Sequence, residues 1–241
     1  MHLFRIDGDI LATTSKPAVK RTTRASKDLS QNDLAYSRLK AALTTMQYKP
    51  GEYLNTALLM TELKLGRTPI NHALHRLEGE GLVQIIPRKG VVVAALSLDE
   101  ALALTEVRIA NESLCLKLAA KSISDTEIEK LRAVSAKLEG AIERRDLSSI
   151  LGHDREFHEA IATASRNPIL MDILAVLHAR SQRFWAMSLS SPGHLQEVLT
   201  EHRRIVDALA RHDGDAAALE VQGHIESFRS SLLRRTGAIS A

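Results

Sequence analysis

"PGEYLNTALLMTELKLGRTPINHALHRLEGEGLVQIIPRKGVVVA", residues 50–94, decides the fold of the first part of the chain. Its Pro-Gly pair is a turn, and it stops a helix marked by Leu34, Leu39, Leu43 and Met46. The spacing predicts a short helix over 56–63, a tight connection "KLGR", and a third helix in "TPINHALHRLEGEG". Pro69 suits the first turn of that helix, where a missing N–H costs nothing. Ile70, Ala73, Leu74 and Leu77 form its buried stripe, and Gly79 and Gly81 end it. "LVQIIPRKGVVVAAL" then changes the period. It is apolar and β-branched, and "PRKG" breaks it into two short strands with a turn. Three helices followed by a hairpin, in about 65 residues, are the plan of a winged helix-turn-helix.

After Leu96 the chain reads as helical to its end. Helices are expected near 98–122, 125–145, 147–165, 168–189, 193–212 and 215–234. Ser97 with Glu100 and Ser124 with Glu127 have the capping-box pattern. There is no internal repeat and no further strand pattern. The expected fold is mainly α, with a basic tail over 1–28, a winged helix-turn-helix with a small β-hairpin wing over 29–96, and an all-α helical bundle over 97–235. Of 241 residues only 3% are aromatic, so the core is built from Leu, Ile, Val and Ala, which suits helices. A formal charge of +3 and a pI of about 9.1 point weakly to a polyanionic partner. The tail carries Lys16, Lys20, Arg21, Arg24 and Lys27, and is either solvated or a non-specific phosphate contact. Cys115 is the only cysteine, which excludes an intrachain disulfide and fits a reducing cytoplasm. No apolar run approaches a membrane span. The first residues lack the apolar segment of a secretory signal, and Asp7 and Asp9 oppose a transit peptide.

The bundle contains an oddity. In "LGHDREFHEAIATASRNP", residues 151–168, the apolar face of Leu147, Ile150, Leu151, Phe157 and Ile161 also carries Asp154 and His158. His202 interrupts the stripe of Leu195, Val198, Leu199, Ile205, Val206 and Leu209. His224 interrupts that of Ala217, Val221, Phe228 and Leu232. Buried polar groups are costly without partners. One shared divalent ion would satisfy all four, and the alternative is a hydrogen-bonded polar cluster. Imidazole and carboxylate ligands suit Zn, Ni, Mn or Fe rather than Ca.

The stretch over 34–95 resembles the DNA-binding domain of GntR-family transcription regulators: Pro-Gly before the second helix, "RTP" opening the recognition helix, the "AL-RLE-EGL" run and the "RKG" wing. The resemblance implies DNA contacts from Arg67, Thr68, Asn71, Arg76, Arg88 and Lys89. An Arg at the first turn can hold guanine O6 and N7 bidentately, and the helix N-terminus can hold a phosphate. Two residues depart from the pattern. Gly66 stands where Ser or Thr is usual, and Asn71 where Arg is frequent. Residues 98–230 resemble the FCD effector domain of the FadR subgroup, in "EVRIANESLCLKLAA", "HDREFHEAIATASRNPIL" and "EHRRIVDALARHDGDAAALEVQGHI". That resemblance implies a metal on Asp154, His158, His202 and His224, expected to be Zn, Ni or Mn, and an effector contact from Arg108 and Asn111. For Arg108 an ion pair with Glu112 is the alternative. Asn167 is expected to cap a helix, and Phe184 and Trp185 to lie in the core or an interface. The implied function is a non-enzymatic, homodimeric DNA-binding regulator on an inverted-repeat operator, favouring repression, and controlled by a small carboxylate. Its rivals are a metal-dependent enzyme on the helical half, for which no general base beyond the ligands is apparent although His153 adjoins Asp154, and a constitutive DNA binder with a structural metal.

Overall fold

A computed structural model describes residues 30–188 and 192–235 of the chain. The basic tail expected over 1–28 lies outside the described residues. In chain order the elements are α1 (Gln31–Thr44), β1 (Tyr53–Leu54), α2 (Thr56–Leu63), α3 (Arg67–Gly79), β2 (Val83–Ile86), β3 (Gly90–Val93), α4 (Leu98–Ser122), α5 (Asp125–Glu143), α6 (Leu147–Ala164), α7 (Pro168–Ser188), α8 (Pro192–Ala210) and α9 (Gly214–Arg235).

The first part is a winged helix-turn-helix. Its core joins Leu39 and Leu43 of α1, Leu59 of α2, Ile70, Leu74 and Leu77 of α3, and Val83, Val91 and Val93 of the wing. The wing departs from the expected two-stranded hairpin. It is a three-stranded antiparallel sheet in the order β1-β3-β2, with Tyr53 opposite Val92 and Leu54 opposite Val91. Two residues are too few to show alternation, so β1 exists only through its distant partner.

The second part is an all-helical bundle. Ser97 accepts from the Glu100 amide to start α4, and Ser124 with Glu127 forms a full capping box on α5. Asn167 Oδ1 caps α7 through the Leu170 amide. Helices α5 and α8 end about two residues earlier than their apolar periodicity suggests, because Arg145 and His212 turn into the left-handed region (φ 55° each). Leu147, expected on the buried face, is the first residue of α6 and is exposed.

Helix α7 ties the two parts together. One side packs Ala179 into the core of the winged domain. Lys40 Nζ of α1 reaches the Ala175 carbonyl at 3.5 Å, and the Arg180 guanidinium lies against Gly81, at the end of the α3 turn. Arg180 also pairs with Glu100 at 2.7 Å. Arg183 is almost wholly buried and donates to the Ala94 carbonyl in the connection between the parts. The other side of α7 carries His178, Ser181, Gln182 and Trp185 into a cavity of the bundle.

Candidate DNA-reading surface and metal–effector site

The first turn of α3 presents Arg67, Thr68 and Asn71 to solvent. Gly66 is its N-cap and supplies no side-chain hydrogen bond, so the helix N-terminus is left for other acceptors. Arg88 and Lys89 are exposed at the β2–β3 turn, with Arg88 left-handed at φ 63° and Gly90 at φ 108°. Arg76 differs from this group. Its guanidinium lies 3.6 Å from the Tyr36 ring centre and pairs with Asp33 at 3.2 Å. That pair ties α1 to α3 and leaves the Arg76 side chain partly exposed.

In the bundle, α6, α8 and α9 bring His158, His202 and His224 together, with one ring nitrogen from each within 4.8 Å of the others. Asp154 Oδ1 lies 3.8 Å from His158 Nε2 and 3.6 Å from His202 Nε2. Local helix geometry explains why Asp154 and His158 lie side by side, since residues four apart on α6 share a face. His202 has no accessible surface, its ring stacks on Phe157 at 4.0 Å, and neither nitrogen has a hydrogen-bonding partner among the described residues. His224 uses Nδ1 on Glu201 Oε2 at 2.8 Å, which leaves Nε2 for another partner. A carboxylate behind a ligating imidazole fixes its tautomer and orientation.

A second layer was not read from the sequence. Glu112 on α4 is buried and faces three cations or potential cations: Arg108 Nε at 2.7 Å, His178 Nε2 at 3.1 Å and His158 Nδ1 at 3.6 Å. Burial pushes its carboxyl up, but Arg108 and then His178 outweigh it and hold it well below the carboxylate range. Glu112, His158 and His178 also cluster within ligand reach. Arg108 decides between the two clusters, because a cation beside a guanidinium already paired with that carboxylate is repelled. The Asp154 cluster is the one that fits a metal. There, burial raises the Asp154 carboxyl to about 6, opposed by His224 and Arg108. Burial holds His158 and His202 well below the imidazole range. Neutral imidazoles are the form that coordinates metal. The donor set and the orphaned nitrogens of His202 both fit a divalent ion of the zinc or first-row kind.

Beside this cluster is a cavity of about 40 Å³ whose wall includes Arg108, Asp154, His158, His178, Ser181 and His194. Burial also keeps the His194 imidazole below its ordinary range, against the pull of Glu197.

The family comparisons divide the chain along the same lines. Residues 31–93 match the bacterial regulatory proteins of the gntR family, and residues 103–227 match the FCD domain. The chain belongs to the GntR family, in its FCD-containing subgroup. The FCD-containing GntR protein is 25% identical over 190 residues to the uncharacterized HTH-type transcriptional regulator YdhC of Bacillus subtilis strain 168, covering 78% of this chain and 85% of that one. It is also 25% identical over 201 residues to the HTH-type transcriptional repressor RspR of Escherichia coli strain K12, covering 83% and 88%. The fold of E. coli McbR/YncC superposes with a TM-score of 0.79 at 22% identity, over 87% of this chain and all of that one. These families and relatives are transcriptional regulators rather than enzymes. Among the described residues no helix is long and apolar enough to cross a membrane.

Against this GntR–FCD frame, the four expected ligands converge. Arg108 both lines the cavity and makes the Glu112 pair that was its alternative. Asn111 is not among the residues of this cavity's wall, and its amide donates to the Val107 carbonyl one turn back. Trp185 is buried, as expected, but also lines the cavity. His178 was missed, although its signal was present. It continues the α7 stripe of Leu170 and Leu174 at helical spacing, as His202 and His224 do on α8 and α9.

Proposed function

We propose that this GntR–FCD regulator represses transcription as a homodimer on an inverted-repeat operator, and that a small carboxylate bound beside a divalent metal, Zn, Ni or Mn, modulates that binding. The observation that carries the reading is His202, a fully buried imidazole with both nitrogens unpartnered among the described residues, facing Asp154 and two further imidazoles. A metal there would be held by Asp154, His158, His202 and His224, and would supply a Lewis-acid seat for a carboxylate. Glu201 and Glu112 orient His224 and His158. Arg67, Thr68 and Asn71 face the major groove, and Arg88 and Lys89 meet the phosphates or minor groove of the flanking DNA. Repression is favoured by the printed description of RspR.

Helix α7 supports a route from effector to DNA. A ligand against His178 and Ser181 pushes on the same rigid helix that seats Ala179 in the winged domain and holds the Ala94 connection through Arg183. Differential affinity for two seatings of that helix shifts the spacing of the two DNA-reading heads. The test pairs elemental analysis of purified protein with mobility shifts on DNA selected by the protein, with and without short carboxylates. About one divalent ion per chain, and a carboxylate effect abolished by His224→Ala, are expected. Metal-free wild-type protein that still responds to the acid refutes the metal seat. Metal-loaded protein indifferent to every acid makes the ion structural.

A further inference from the structure

This inference rests on the effector reading above and concerns what that cavity selects. Two wall residues play no part in either ligand cluster: Ser181 on α7 and His194 on α8. Each is only 5% exposed. Ser181 Oγ and both ring nitrogens of His194 have no hydrogen-bonding partner among the described residues. The carboxylate facing His194, on Glu197, stands 3.5 Å away, and its side chain is more than half exposed. Two unpartnered polar groups in one wall are costly unless a ligand completes them.

Their chemistry narrows the ligand. A hydroxyl and a neutral imidazole each offer one donor and one acceptor. They match a neutral hydroxyl, which donates to one and accepts from the other. A second carboxylate is poorly served. The arginines that line the cavity, Arg108 and Arg155, are already paired, with Glu112 at 2.7 Å and Glu159 at 3.6 Å. The cavity of about 40 Å³ favours a short molecule. We propose that Ser181 and His194 form a hydroxyl-recognising subsite, so that the regulator selects short hydroxycarboxylates over the matching deoxy acids and over dicarboxylates.

The test is calorimetric titration of metal-loaded, full-length protein with matched acids: propionate against lactate and glycerate, with succinate as the dicarboxylate. A site built to bond a hydroxyl discriminates strongly against its absence, so a preference of about tenfold or more for a hydroxylated acid is expected. Ser181→Ala and His194→Leu should each bring that ratio towards one. Ser181→Thr and His194→Gln keep a donor and an acceptor, and should retain much of it. Equal affinity for the deoxy acids, tighter binding of succinate, or a ratio that survives both Ser181→Ala and His194→Leu overturns the subsite while leaving the carboxylate reading intact. Failure of metal-loaded protein to bind any of the acids overturns both.

Discussion

Replacing His202 with Leu should have opposite effects on stability with and without metal. In chelated protein the substitution removes an imidazole that is fully buried and whose nitrogens have no hydrogen-bonding partner among the described residues. Relieving that desolvation is worth about 1–3 kcal/mol. Imperfect fit of leucine against Phe157, on which the ring stacks at 4.0 Å, returns up to about 1.5 kcal/mol. The net is a gain near 1 kcal/mol, or roughly 2–4 °C in Tm for a chain of this size. With metal at a hundredfold excess over its Kd, the wild type gains about 2.7 kcal/mol. The variant, short of one ligand, forgoes most of that and should melt roughly 3–7 °C below the loaded wild type. Thermal melts in EDTA and in Zn²⁺, Ni²⁺ and Mn²⁺ read both signs. A variant that is destabilised by the same margin in EDTA and in every metal refutes the argument, since His202 would then be a packed core residue.

Three further outcomes are expected. Arg67→Ala should lower affinity for the selected operator by about 1–3 kcal/mol and relax its sequence discrimination, whereas Lys89→Ala should weaken all sequences alike and reduce the salt slope by about 1; unchanged discrimination in the Arg67 variant counts against base reading. Burial pushes the Cys115 thiol up to about 12 from 9.0, about a thousandfold less thiolate at a given pH, so iodoacetamide at pH 8 should label it only on unfolding, and rapid labelling of native protein contradicts that packing. The Glu127 carboxyl is lowered first by its hydrogen bond from the Ser124 amide. A depressed folded-state pKa gives stability that is present above the unfolded value and lost as pH falls through the folded one. The capping box should therefore weaken below about pH 4.5, by less than about 1 kcal/mol because the group is partly solvated. Glu127→Gln should flatten that acid limb, and an unaltered limb would show that other carboxylates set it.

Much of this protein was legible along the chain, because helical periodicity marks each residue as facing the core or the solvent. The pattern sufficed for α2 over Thr56–Leu63, for the α3 stripe of Ile70, Ala73, Leu74 and Leu77, and for the caps at Ser97, Ser124 and Asn167. It also singled out Asp154, His158, His202 and His224, which the fold brings together, since a histidine or aspartate set in a leucine stripe is conspicuous at a spacing of three or four. Tertiary packing decided which buried faces meet. Only the meeting of α4 with α6 and α7 makes Glu112 the hub of Arg108, His158 and His178. Only the contact of α1 with α3 ties Arg76 to Tyr36 and Asp33. Strand β1 exists through residues some forty positions away. Ser181 and His194 share a wall only because α7 and α8 both border the same cavity. The physical reason is that the hydrophobic effect is non-directional. It tells each helix which side to bury, while ridges, grooves and side-chain volumes across the whole bundle choose the neighbour, and a polar group's partners are fixed only once that choice is made.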